Sequence, residues 1–114
     1  MALAIASRDV DGVTVLDLSG RITLGEGSVQ LRDAIRDLIA KGQKRILLDL
    51  GEVNYIDSSG LGELVSAYTT ARNLGATLKL LKLTKKVHDL LQLTKLYTVF
   101  DIFDDEASAI ASFK

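Results

Sequence analysis

The chain has no cysteine, no proline and no tryptophan, and its 114 residues include one histidine, His88. Without cysteine, disulfide bonds and thiolate chemistry are excluded. A single imidazole leaves a hydrolase with one base of that kind, and leaves any metal site to carboxylates. Without proline or low-complexity stretches, no linker divides the chain, and residues 1–114 are expected to form a single domain. No strong charge of either sign is present. Lys plus Arg is 14 and Asp plus Glu is 15, a balance of −1 that gives no general reason to expect nucleic acid or an anionic membrane as partner. No apolar run approaches the roughly 20 residues of a membrane helix. The start, Met1 to Arg8, lacks the basic opening of a secretory signal, so a cytoplasmic location is expected. What the chain does have is apolar residues, at 47%, enough to argue against disorder and for a real core.

Those apolar residues are patterned. Leu3 to Asp9 and Gly12 to Leu18 flank Asp11-Gly12, a strong short hairpin signal. Ser19-Gly20 then punctuates. Ser28 is a candidate cap for a helix carrying Leu31, Ala34, Ile35, Leu38 and Ile39, and Gly42 is placed to end it. Arg45 to Leu50 reads as a strand covered on both faces. A second helix has the stripe Leu61, Leu64, Val65, Tyr68, Ala71 and Arg72. Thr77 to Leu81 reads as a strand, and Thr84 caps a helix with Val87, Leu90 and Leu91. Val99 to Phe103 reads as a last strand, and Asp104 as the cap of a final helix with Glu106 in its first turn and Ala107, Ile110 and Ala111 on its buried side. Strands alternating with helices predict an α/β fold with parallel pairing and right-handed crossovers, the opening hairpin adding an antiparallel edge strand. In such sheets function gathers at loops leaving the carboxyl ends of strands.

One of those loops is the most informative stretch of the chain. In Asn54-Tyr55-Ile56-Asp57-Ser58-Ser59-Gly60-Leu61-Gly62, two hydroxyls, a carboxylate and two glycines meet where a strand hands over to a helix N-terminus. Free backbone N–H groups there welcome negative charge. The plain reading of Ser58 and Ser59 is capping, and Asp57 is a further candidate. The capping box is absent, since Leu61 and Gly62 stand three residues after the serines. Gly60 and Gly62 each cost roughly 0.5–1 kcal/mol against alanine in a helix. Close backbone approach is therefore expected there, by a partner, a phosphate or the chain's own neighbouring loop.

Other constellations carry less. A serine nucleophile would depend on His88, the residues around Ser58 do not spell G-x-S-x-G, and a catalytic triad is rejected. Gly20, Gly25 and Gly27 match neither phosphate-loop pattern. The aspartates show no calcium-loop spacing, so no metal and no cofactor is expected. Lys79, Lys82, Lys85, Lys86 and Lys95 read mainly as a solvated face that would steer an acidic partner through its on-rate.

With these residues in place, the chain resembles STAS domains, and specifically the bacterial anti-sigma factor antagonists. The likeness covers roughly Gly12 to Phe113. It is carried by Ile46-Leu47-Leu48-Asp49-Leu50, Val53 and Ile56-Asp57-Ser58-Ser59-Gly60-Leu61-Gly62, and less specifically by Val87, Leu90-Leu91, Leu93-Thr94 and Val99-Phe100. The resemblance implies a β/α superhelical fold, with a mostly parallel mixed sheet of about five strands and about four helices. It also implies a non-enzymatic role in partner switching. Ser58 falls on the family's phosphoacceptor, and Thr23, Asp57, Ser58, Ser59, Gly60, Leu61 and Gly62 fall on its partner-binding surface. The implied partners are an anti-sigma factor serine kinase with a histidine-kinase-like ATPase fold and a metal-dependent serine phosphatase. The unphosphorylated antagonist binds the kinase and frees the sigma factor, and phosphorylation releases it. Two departures stand out. Gly20-Arg21-Ile22-Thr23 replaces the frequent Gly-Glu-Leu-Asp, and Lys95 stands where glycine commonly follows the Thr94-type residue. A STAS subunit of a lipid-transporter ATPase, a regulator of a phosphatase or cyclase, and a serine hydrolase are the competing functions.

Overall fold

The computed structural model describes residues 3–114, apart from the Glu26 side chain; Met1 and Ala2, the first residues of the Met1 to Arg8 stretch read above, lie outside it. Strands β1 (Leu3–Val10) and β2 (Val13–Ile22) form the predicted hairpin, with Asp11 and Gly12 both at positive φ in the turn. Helix α1 (Glu26–Ala40), strand β3 (Arg45–Ile56), helix α2 (Ser58–Asn73), strand β4 (Thr77–Leu81) and helix α3 (Lys85–Leu93) follow. A short 3-10 turn (Tyr97–Val99), strand β5 (Ile102–Phe103) and helix α4 (Glu106–Ala111) complete the order. The sheet runs β1-β2-β3-β4-β5, with β1 antiparallel to β2 and every other pair parallel. The α/β fold expected from the sequence, a mostly parallel five-stranded sheet with an antiparallel opening hairpin, is the fold observed.

Side-chain alternation along the strands divides the core. Leu16, Leu18, Ile46, Leu48, Leu78 and Leu80 face one side, where they pack with Leu31 and Ile35 of α1, Leu61 and Leu64 of α2, and Val87 and Leu91 of α3. Val13, Val15, Leu47 and Leu81 face the other side, under Ala109 and Ile110 of α4. Each such leucine, isoleucine or valine, fully buried, contributes on the order of 1.5–3 kcal/mol.

Several elements differ from the sequence reading. Strand β2 continues through Ser19-Gly20 to Ile22, because register shifts between Asp17 and Ser19 and between Gly20 and Arg21 absorb Gly20 at φ 106° as an irregularity within the strand. Pairing with this extension carries β3 on to Ile56, past its expected end at Leu50. Ser28 does not cap α1. Gly25 holds that position, and the Ser28 hydroxyl donates to Gly25 O within the first turn. Thr84 does precede α3, but its hydroxyl donates to Val53 O at 2.8 Å instead of capping. The last strand is only Ile102–Phe103, and Asp105, not Asp104, caps α4 by accepting from the Ser108 N–H. Ala109 joins Ile110 on the buried side of α4, whereas Ala107 and Ala111 are exposed. Lys79 is not on a solvated face. It is 9% exposed, its ammonium donates to Ser112 O and Oγ at 3.0 Å each, and it stands 4.8 Å from the Phe113 ring centroid.

Candidate functional site

Strand β3 ends at Ile56, whose side chain is buried, and the chain turns at Asp57 in extended backbone (φ −102°, ψ −178°) before α2 begins at Ser58. Asp57 is the N-cap. Its Oδ1 accepts from the Gly60 N–H at 2.8 Å, filling one of the vacant donors of the first turn. Its Oδ2 accepts from the Leu24 N–H at 3.1 Å, so one carboxylate ties the start of α2 to the loop between β2 and α1. The Asp57 N–H donates to Ile22 O at 3.4 Å, a third tie to the end of β2. The Gly60 N–H holds the Asp57 carboxyl below the usual carboxylate range, desolvation works against it, and the Leu24 N–H adds to the lowering. Asp57 is therefore a fixed negative charge at neutral pH.

With Asp57 in the cap, the serines are released from that task. Ser58 is the first residue of α2 and is exposed; Ser59 is half-buried. The two glycines serve different ends. A Cβ on Gly60 would stand 2.0 Å from Ile22 O and 2.8 Å from Ile22 C, so the close approach expected at this glycine is made by the chain's own β2. A Cβ on Gly62 would meet nothing within 4 Å. Leu61 is 4% exposed and belongs to the core. Of the residues assigned to a partner surface, Ser58 and Gly62 are exposed, Thr23, Asp57 and Ser59 are half-buried, and Gly60 and Leu61 are buried. Thr23 lies across the loop from α2, and its carbonyl accepts from the Ser28 N–H at 3.1 Å.

The sequence reading missed several neighbours on this end of the sheet. Leu24 is 77% exposed although its N–H is held by Asp57, and Val29 and Tyr55 are also exposed. The Arg21 Cζ lies 5.2 Å and the Lys86 Nζ 5.5 Å from the centroid of the Tyr55 ring. The register pairs Arg21 with Tyr55 directly, so the β2–β3 extension assembles this group. A leucine followed by Gly25, beyond the last buried residue of β2, was the one local signal. His88 is engaged elsewhere, with its ring edge-on to Tyr97 at 5.1 Å and its Nδ1 at 3.6 Å from Asp89 Oδ1. Among the described residues no group of three or more His, Cys, Asp or Glu side chains is placed to hold a metal ion. Among the same residues no helix is long and apolar enough to cross a membrane.

Comparison with known proteins agrees with this geometry. The family model described as the STAS domain matches residues 4–109. The anti-sigma F factor antagonist of Paenibacillus polymyxa is 29% identical over 111 residues, covering 96% of this chain and 94% of that protein. The anti-sigma-B factor antagonist of Listeria monocytogenes is 28% identical, covering 90% of this chain and 88% of its own length. Among solved structures, a Thermotoga maritima protein proposed as an anti-sigma factor antagonist superposes with a TM-score of 0.86 at 27% identity, over 95% of this chain and 92% of that one. The phosphorylated form of the Bacillus cell fate determinant SpoIIAA shares the fold, with a TM-score of 0.75 at 20% identity over 97% of this chain and 100% of that one. The mixed sheet, the Asp57-capped helix and the match over nearly the whole length lead to one assignment: the chain belongs to the STAS domain family.

Proposed function

We propose that this protein is an anti-sigma factor antagonist that works by partner switching, with Ser58 as the phosphoacceptor. The observation that carries the reading is that Asp57 takes the N-cap, leaving the Ser58 hydroxyl exposed at the first position of α2. In this reading the unphosphorylated protein docks on an anti-sigma factor kinase with a histidine-kinase-like ATPase fold, and the sigma factor is set free. Transfer of a phosphoryl group from ATP to Ser58 Oγ then releases the antagonist, and a metal-dependent serine phosphatase resets it by hydrolysis. The protein itself is a regulator and not an enzyme, acts in the cytoplasm, and needs no cofactor.

The physics supports a charge switch. A phosphoserine adds about −1.5 to −2 charge at pH 7. The N-terminus of α2 favours that charge in the free protein, while the ionised Asp57 beside it opposes it. A kinase seated against Ser58 and Gly62 would have to bury the same charge. Differential binding of about 3 kcal/mol changes affinity more than a hundredfold.

The test is mass spectrometry of the protein after incubation with ATP and its candidate kinase. Modification at Ser58 is the expected result, and modification confined to other residues overturns the assignment. Ser58→Ala should bind the kinase and resist modification, whereas Ser58→Asp should bind at least tenfold more weakly. Equal affinity for the two variants would rule out a charge switch.

A further inference from the structure

We propose that the kinase-facing surface of this protein is an apolar anchor with a basic rim, and that its partner is a protein presenting an apolar socket bordered by carboxylates. This inference rests on the Ser58 reading and adds the chemistry of the partner.

The anchor is Leu24. It is 77% exposed, yet its position is fixed, because its N–H is held by Asp57 Oδ2 at 3.1 Å, while the Ser28 N–H donates to Thr23 O and the Val29 N–H to Gly25 O on either side of it. With its backbone already held, docking of this leucine has only the side-chain rotamer left to order, which lowers the cost of using it as an anchor. Val29 in the first turns of α1 and Tyr55 near the end of β3 are also exposed, at 39% and 36%. Asp57 joins this anchor to Ser58, since one carboxylate holds both the Leu24 N–H and the first turn of α2.

The rim is Arg21 and Lys86. Both cations stand over one ring, at 5.2 and 5.5 Å from the Tyr55 centroid, and among the described residues neither is in an ion pair. Lys85 next door is different, because Asp89 Oδ2 neutralises it at 2.8 Å. Neither charge is neutralised by a carboxylate among the described residues, so each is available to a carboxylate from outside. Arg21 offers a planar fork and Lys86 a point charge, a pair suited to acidic side chains. The overall charge of −1 makes this basic group local, so it selects a complementary patch and not anionic surfaces in general.

The experiment uses the full chain and the purified kinase that modifies Ser58, with association followed by stopped-flow fluorescence at several salt concentrations. Leu24→Ala should raise the dissociation rate at least tenfold. The double variant Arg21→Glu, Lys86→Glu should slow association at least tenfold and abolish its decrease with salt. Exchanging acidic residues of the kinase for lysine should restore association of that double variant. Circular dichroism checks that each variant is folded. If the kinase modifies Ser58 but the double variant associates at the wild-type rate with the wild-type salt dependence, the basic rim is overturned and the Ser58 reading stands. If no kinase modifies Ser58, both fall. Concentration-dependent self-association lost in Leu24→Ala, or binding to vesicles of phosphatidylglycerol lost in the double variant, would assign the surface to a second copy or to a membrane and overturn the proposal.

Discussion

Replacing Gly60 by alanine tests the construction of the site more directly than any change at Ser58. In a helix, the exchange of glycine for alanine ordinarily stabilises by about 1 kcal/mol. At Gly60 the added Cβ would stand 2.0 Å from Ile22 O, 2.8 Å from Ile22 C and 2.9 Å from Ile22 Cγ2. Comfortable carbon–oxygen approaches are about 3.3–3.6 Å, so the helix and the strand would have to separate by roughly 1 Å or more. The obstructing atoms are backbone, and Ile22 is fully buried and in register with Ile56. Separation would therefore strain the Asp57-to-Ile22 and Leu24-to-Asp57 hydrogen bonds as well. Overpacking of this kind costs about 1–3 kcal/mol and sometimes more. Adding the lost hydrogen bonds and subtracting the propensity gain leaves a net loss of about 2–4 kcal/mol. That is a large part of the 5–15 kcal/mol typical of a domain, and lowers Tm by roughly 10–20 °C. Gly62→Ala, with nothing within 4 Å of its Cβ, should instead gain up to about 1 kcal/mol. Urea titrations followed by circular dichroism measure both. A Gly60→Ala protein as stable as the wild type, or a Gly62→Ala protein destabilised to the same degree, would refute the reasoning.

The remaining predictions concern the ties around this helix start and the far side of the sheet. Asp57→Ala should cost about 0.5–2 kcal/mol at pH 7, the usual worth of an N-cap. Because the folded carboxyl titrates below its unfolded value near 3.9, that stability is present above pH ~4 and is lost as pH falls through the folded value. Urea titrations of both proteins from pH 7 to pH 3 should show the gap closing at the acid end, and a gap independent of pH would contradict the assigned hydrogen bonds. Lys79→Met keeps the stem but removes the donors to Ser112, and should cost about 1–3 kcal/mol. Hydrogen exchange should then quicken in α4 while α1 and α2 stay protected; a uniform change would mean that Lys79 does not secure α4. Ser58→Asp should leave thermal stability within about 1 kcal/mol of wild type, since the site is exposed.

Most elements were legible because their signals are local. Asp11-Gly12 marked the hairpin, and the 3.6-residue stripes of α1, α2 and α3 marked which faces are buried. What escaped the sequence depends on contacts between distant segments. Gly51, Glu52, Asn54 and Tyr55 do not look like a strand, yet pairing with the end of β2 makes them one. Lys79 has the composition of a surface residue, and only the return of α4 over the sheet buries it. The motif around Ser58 stood out by its chemistry, with Asp57 among its candidate caps and the chain itself among the candidates for close approach, but which of these alternatives held was not legible. That Asp57 caps, that Gly60 answers to Ile22 and that Leu24 projects are all consequences of β2 ending against the start of α2.

That junction also bears on how a modification at Ser58 would act. The Ile22 carbonyl accepts from the Asp57 N–H and lies against the Cα side of Gly60, so strand and helix meet with no room between them. The Asp57 carboxylate then spans the gap to Leu24. Packed junctions of this kind are not continuously deformable. A charge placed on Ser58 thus finds a scaffold that resists moving on one side and open solvent on the other. The least costly response is to alter the potential of the exposed surface while the fold stays as it is. In the proposed switch, the discrimination between the two forms must then come mainly from the partner, which would have to desolvate a phosphate lying beside a carboxylate that is already ionised. In that switch the protein would act as a rigid carrier of one removable charge, and its rigidity would make that charge decisive.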